Sequence, residues 1–224
     1  VTLIQGYELG GVLVAVSSDT RQVINIFGAQ LPFVDSTGKT ERITPYVIFA
    51  GGGTNRVVDE IRGRLCDRLE SALFIADMVE PLQNVIDELV GSPSFSEELA
   101  DDTTAQVLLA GFNADGSVGI IQYITGDDLS VHYRVVDTLV QQRQVIAPSE
   151  DHTEAIFNGW PEQPEISDIS ELPSAVIQIM ARNQAAAFEA DPETVSETLN
   201  YCVLFKHPQS TVVESFEGTL KLNE

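Results

Sequence analysis

Asp19 closes a β-rich run and stands in Asp19-Thr20-Arg21. Lys39 leads into Ile43-Thr44-Pro45-Tyr46-Val47-Ile48-Phe49-Ala50, which ends in Gly51-Gly52-Gly53 ahead of a helical pattern. Apolar strands at the very start of a chain, a lysine beside them and a glycine turn before a helix can enclose a site around Val1 and Thr2. Each residue also has a plainer use. Lys39 alone reads as a solvated loop residue, and Asp19 as a turn residue pairing with Arg21. Gly51 and Gly52 either offer a backbone N–H to an anion at a helix N-terminus or let strand and helix pack closely.

Other candidate groups carry less. His132, His152 and His207 are scattered, without metal-ligand spacing, so no metal or other cofactor is expected. Ser149-Glu150-Asp151-His152 contains the residue types of a hydrolase triad, but a triad is a spatial arrangement and adjacency in sequence is no sign of one. Gly51-Gly52-Gly53-Thr54 lacks the lysine and spacing of a phosphate loop. Trp160, among prolines, reads as a loop anchor.

The elements that would hold the first set in place follow from periodicity. Thr2–Glu8 and Gly11–Ser17 form a hairpin about Leu9-Gly10. Gln22–Phe27 and Leu31–Val34 are short strands, and Asp35-Ser36-Thr37-Gly38 is a turn. Arg42–Ala50 reads as one strand covered on both faces, with Pro45 near its start or at an edge. Val57, Val58, Ile61, Leu65 and Leu69 then recur at helical spacing behind Thr54 or Asn55 as N-cap. A second helix covers Asp77–Val90, with Pro81 in its first turn. Ser92–Thr103 is an acidic loop. Ala105–Phe112 and Ser117–Thr125 flank the hairpin signal Asn113-Ala114-Asp115-Gly116. Leu129–Val136 is a strand, or the start of one reaching Ile146. Ile166–Phe188 is a helix with Pro173 in its first turn, Asp191–Thr198 a short helix, and Leu199–Lys206 with Thr211–Glu217 a closing β pair.

Strands, two helices, strands, a helix and strands suit an α+β domain built as a four-layer αββα sandwich, with two mostly antiparallel sheets between helical layers. One sheet with helices is the alternative. The 224 residues, 43% of them hydrophobic, fill a single domain over 1–224. The formal net charge of −22 offers no basic patch to a phosphate backbone, so a nucleic-acid partner is not expected. The apolar runs are too short to span a bilayer, and Val1 opens no signal-peptide pattern; no membrane partner and a cytoplasmic location are expected. Cys66 and Cys202, the two cysteines, are expected as buried free thiols.

The chain resembles proteasome subunits of the N-terminal-nucleophile (Ntn) hydrolase superfamily. The residues that carry the resemblance are Gly11-Val12-Leu13-Val14-Ala15 with Asp19-Thr20-Arg21, then Lys39 through Tyr46 with Ala50-Gly51-Gly52, then Leu109–Gly116 and Asn200–Leu204. In that family the mature chain begins with threonine, whose hydroxyl attacks a carbonyl while its own α-amine serves as base. The resemblance implies hydrolysis of peptide or amide bonds, a peptide substrate, no cofactor, and self-assembly into a ring through the helical layers. It places Asp19 as the aspartate that keeps a lysine charged, Lys39 as that lysine, and Gly51 or Gly52 as the oxyanion donor. Without a gap, Val1 falls in the first position, where a methyl replaces the hydroxyl. Thr2 has the hydroxyl, but its nitrogen lies in the Val1–Thr2 peptide. The family's later serine and aspartate have no match between Ala147 and Ser170. The implied protein is a threonine peptidase or a silent member of that family; a stand-alone ligand- or protein-binding domain is the further alternative.

Overall fold

Two interleaved apolar sets along the strands dictate the layering. In β2 (Leu13–Asp19) Leu13 and Ala15 point one way, Val14 and Val16 the other, and all four are buried. A strand covered on both faces must lie between two other layers. The computed structural model describes residues 3–26, 29–35, 39–53, 55–69, 73–96, 105–126, 129–147, 150–160 and 164–222.

One five-stranded antiparallel sheet, sheet I, contains β1 (Ile4–Leu9), β2, β10 (Gln141–Ile146), β11 (Thr198–Lys206) and β12 (Val213–Lys221), in the order β10-β1-β2-β11-β12. Sheet II is also five-stranded and antiparallel, with β5 (Thr40–Thr44), β6 (Val47–Gly53), β7 (Ala105–Phe112), β8 (Val118–Ile124) and β9 (His132–Val136) in sequence order. β3 (Arg21–Ile26) and β4 (Ala29–Asp35) form a two-stranded ribbon. Four helices are described: α1 (Asn55–Cys66), α2 (Val79–Val90), α3 (Glu150–Gly159) and α4 (Leu172–Ala190). The architecture is mixed α+β.

Three apolar clusters follow the strand alternation. Val57, Ile61 and Leu65 of α1 and Leu82, Val85 and Ile86 of α2 pack on Phe49, Val107, Leu109, Ile121 and Tyr123 of sheet II. Val14, Val16, Cys202 and Leu204 of sheet I meet Ile48, Ala50, Leu108, Ala110 and Ile120 of sheet II. Leu3, Tyr7, Leu13, Ala15 and Val203 pack with Ile156 of α3 and Val176, Ile179 and Met180 of α4. Burying each such side chain contributes about 1.5–3 kcal/mol, so the α1 stripe at i, i+4 and i+8 is reason enough for that helix to lie on β6.

Several expectations change. Arg42–Ala50 is two strands: β5 and β6 pair antiparallel, with a register shift between Arg42 and Thr44 and Pro45-Tyr46 at the turn. Proline lacks the N–H that a strand interior needs, so the chain reverses there. Gly51, Gly52 and Gly53 end β6 and belong to the strand. The segment after Leu129 is two strands in different sheets: β9 pairs with β8, β10 with β1. Glu150–Gly159, unread from sequence, is α3, and Trp160 at its end stacks on Tyr7 with ring centroids 5.2 Å apart. Asp191–Thr198 is a turn rather than a helix: Asp191 accepts from Glu193 N, Thr194 N and Thr194 Oγ1, taking donors that would start helical bonding. Cys202 is buried, whereas Cys66 is exposed at the end of α1. The expected N-cap Thr54, the Ser36–Gly38 part of the turn and most of the Ser92–Thr103 loop lie outside the described residues.

One buried carboxyl interrupts the apolar filling. Glu8 lies on the same face of β1 as Ile4 and is fully buried, with both carboxyl oxygens lacking a hydrogen-bond partner among the described residues. Burial pushes its carboxyl up to about 8, against the pull of the Arg134 charge and of the nearby Gln144 side chain. A carboxyl that keeps its proton in the fold to about pH 8, but releases it near its ordinary value when unfolded, makes stability fall as pH rises between the two. Glu8→Gln should therefore be the more stable protein at pH 8, by roughly 3–5 kcal/mol, with the advantage shrinking toward pH 5. Urea unfolding of both proteins from pH 5 to 8 checks this; a pH-independent difference contradicts it.

Candidate functional site

Asp19 ends β2, where sheet I stops, and Lys39 immediately precedes β5, where sheet II starts. The two meet. Lys39 Nζ donates to Asp19 Oδ1 at 3.0 Å; Asp19 is fully buried and Lys39 8% exposed. The same ammonium donates to the carbonyl of Arg21. Asp19 also accepts from backbone: Oδ1 from Leu3 N at 3.1 Å and Oδ2 from Arg21 N at 3.3 Å. Its own N–H returns to Leu3 O at 3.0 Å. Burial pushes the Asp19 carboxyl up, while the Lys39 charge and these donors pull it down.

The expectation that Asp19 pairs with Arg21 changes in kind. The contact is to the Arg21 backbone N–H, and the guanidinium reaches instead to Pro192 O. Leu3 matters more. The described chain starts there, and its amide is held by Asp19, so the first strand begins against the charge pair. Val1 and Thr2 lie outside the described residues.

Gly51 joins the same cluster through the backbone. Its N–H donates to Lys39 O at 2.9 Å. A Cβ at Gly51 would sit 2.2 Å from Val58 Cγ1, so glycine is what lets α1 close on β6. Alternation along an antiparallel strand turns Gly52 toward its other neighbour, opposite Gln106 of β7. The structure thus brings Asp19, Lys39 and Gly51 together, with Gly52 next in line on β6.

Sequence reasoning missed a second ring of contacts. Ser196 Oγ accepts from Thr20 N at 3.2 Å, lies 3.0 Å from Thr20 Oγ1 and donates to Thr198 O at 2.8 Å. Gln184 of α4 donates to Ser196 O and Thr198 O. Thr40 Oγ1 donates to Ser18 Oγ at 2.9 Å and ties the sheets beside the pair. Ser196 lies beyond α4 and outside the interval 147–170, and the sequence reading did not name it. The signal that could have found it is Asp191, whose turn delivers the chain back to β11. Among the described residues no group of three or more His, Cys, Asp or Glu is placed to hold a metal ion, and no helix is long and apolar enough to cross a membrane.

Chemically, the arrangement holds a fixed ammonium close to Leu3, just ahead of β1. Such a charge lowers the pKa of a neighbouring hydroxyl and stabilises an anion formed there. Removing one member of a buried pair leaves the other uncompensated, at a cost of about 3–5 kcal/mol. Lys39→Met should lose that much stability, and Asp19→Asn combined with Lys39→Met should lose clearly less than the two single changes added together. A double-mutant cycle in urea reads the coupling; additive losses would show that the pair does not act as one unit.

No family model matches the chain, and no curated protein matches it. Its fold recurs among solved structures. One is the Anbu (Gly-1) mutant from Hyphomicrobium sp. strain MC1, with a TM-score of 0.67 over 100% of this chain and 89% of that chain, at 8% sequence identity. Anbu is a bacterial proteasome-like protein related to Ntn threonine peptidases. At that identity the likeness is one of fold alone: two antiparallel sheets with helices, as in Anbu.

Proposed function

We propose that the chain is a proteasome-like Ntn-hydrolase domain, a four-layer αββα sandwich whose family-level activity is hydrolysis of peptide or amide bonds by an N-terminal threonine. The observation that carries this reading is the buried Asp19–Lys39 pair holding the amide of Leu3. A lysine buried at the beginning of a strand, with its charge matched, has little use in a surface loop; it suits a reacting group placed at residue 1. In this reading Asp19 keeps Lys39 charged, and Lys39 lowers the pKa of the attacking group. Gly51 or Gly52 presents its N–H to the oxyanion, Gly51 by exchanging its bond to the Lys39 carbonyl for one to substrate.

Were Val1 the first residue of the working chain, the machinery would be held without a nucleophile. A methyl cannot attack a carbonyl, and the Thr2 hydroxyl lacks a free amine as its base. Val1→Thr, produced with a free amine at residue 1, should form a covalent 1:1 adduct with an electrophile directed at N-terminal threonine, visible by intact mass. The Val1 protein should form none, and Val1→Thr combined with Lys39→Met should react at least about 100-fold more slowly. Equal labelling of all three, or none of Val1→Thr, contradicts the reading.

The same reading makes the chain a non-catalytic subunit of a proteasome-like ring, joined to further copies through its helical layers. Native mass at micromolar concentration should exceed that of the 24.4 kDa chain severalfold. A monomer would remove the ring while leaving the N-terminal site as argued.

A further inference from the structure

The strands that carry Gly51 and the partner of Asp19 have far ends, and a cavity is built there. β6 runs from Val47, beside Tyr46, to Gly51 and Gly53. β11 runs from Leu199, opposite Asp19, to Lys206. Tyr46 and Lys206 both line a cavity of about 260 Å³, together with Phe74, Phe112 and Asn113. Five residues of strand separate Tyr46 from Gly51, roughly 17 Å, so this cavity is distinct from the Asp19–Lys39 site.

Its walls divide into two kinds. Tyr46 and Phe74 stack with ring centroids 4.7 Å apart, and Phe112 behind them is buried. Opposite in character is Lys206. The chain has three lysines against 34 acidic residues. Lys39 is paired with Asp19 and Lys221 with Glu197. Lys206 makes no ion pair among the described residues; the Asp115 carboxylate, which also lines the cavity, feels its charge and accepts from Ser117 N and Oγ. Gly116, where φ is +84°, leaves the space beside the ammonium open: a Cβ there would lie 2.3 Å from Lys206 Nζ. Asn113 is fixed in turn, accepting from Tyr133 Oη at 2.9 Å and donating to Ser117 Oγ.

We propose that this cavity is a binding site for a small aromatic carboxylate, its ring against Tyr46, Phe74 and Phe112 and its carboxylate at Lys206. Its volume lies just below the ~300–1,000 Å³ range of drug-sized ligands, which suits one ring on a short acid arm. An aromatic wall takes the ring by offset or edge-to-face contact, and the Lys206 ammonium, in no ion pair among the described residues, takes the anion by a charge-assisted hydrogen bond. The proposal is independent of whether the N-terminal site reacts.

Calorimetric titration with 3-phenylpropionate, its neutral analogue 3-phenylpropionamide, and hexanoate tests it on the full chain. The aromatic acid should bind saturably at one site, and the amide and the aliphatic acid at least 10-fold more weakly. Lys206→Met should erase the preference of acid over amide, and Tyr46→Ala should erase that of aromatic over aliphatic. Phe74→Leu gives a milder check on the second should Tyr46→Ala fail to fold. Equal affinity for acid and amide overturns the proposal, as does an unchanged preference in Lys206→Met or no saturable binding of 3-phenylpropionate up to about 10 mM, roughly tenfold above a weak millimolar Kd.

Discussion

Two opposite charges buried at one end of two stacked sheets are what this fold is arranged to accommodate. Taking a carboxylate and an ammonium out of water costs several kcal/mol each, and attraction repays it only when the remaining hydrogen-bonding capacity is filled. That condition is met by backbone. Asp19 takes the amides of Leu3 and Arg21, and Lys39 takes the carbonyl of Arg21 in addition to the carboxylate. Because Asp19 closes a strand of sheet I and Lys39 opens one of sheet II, the pair also fixes how the sheets meet at that end. Thr40 and Ser18 repeat the connection one residue away.

The rest of the site inherits its precision from that pair. Leu3 is placed by Asp19, and Gly51 by the Lys39 carbonyl. Thr20 is placed by Ser196, which Gln184 of α4 steadies in turn. None of these bonds is made by residue 1, so the geometry they fix does not depend on its side chain.

What could be read from sequence was whatever is local. The β7–β8 hairpin was legible because Asn113-Ala114-Asp115-Gly116 specifies its own turn, and α1 because its apolar period needs no partner to be seen. β5 and β6 merged into one strand because an unbroken apolar run does not reveal which residue reverses direction; the antiparallel pairing does. β9 and β10 belong to different sheets, a choice made by β8 and β1 that leaves no local mark. α3 is short and flanked by prolines, and its burial shows only once Trp160 finds Tyr7. Asp19 and Lys39 stand 20 residues apart, so their proximity came from resemblance, and Ser196, 176 residues from Thr20, was marked only indirectly, by the Asp191 turn before it.

The central claim is that the charge pair is built for whatever stands at residue 1. A crystal structure resolving Val1 tests this most directly. The account predicts that the Val1 side chain lies against Lys39 Nζ, with a methyl carbon within about 4 Å of it, where a threonine hydroxyl would receive the hydrogen bond. A Val1 side chain directed away from Lys39, with the ammonium satisfied by Asp19 and Arg21 alone, would contradict it.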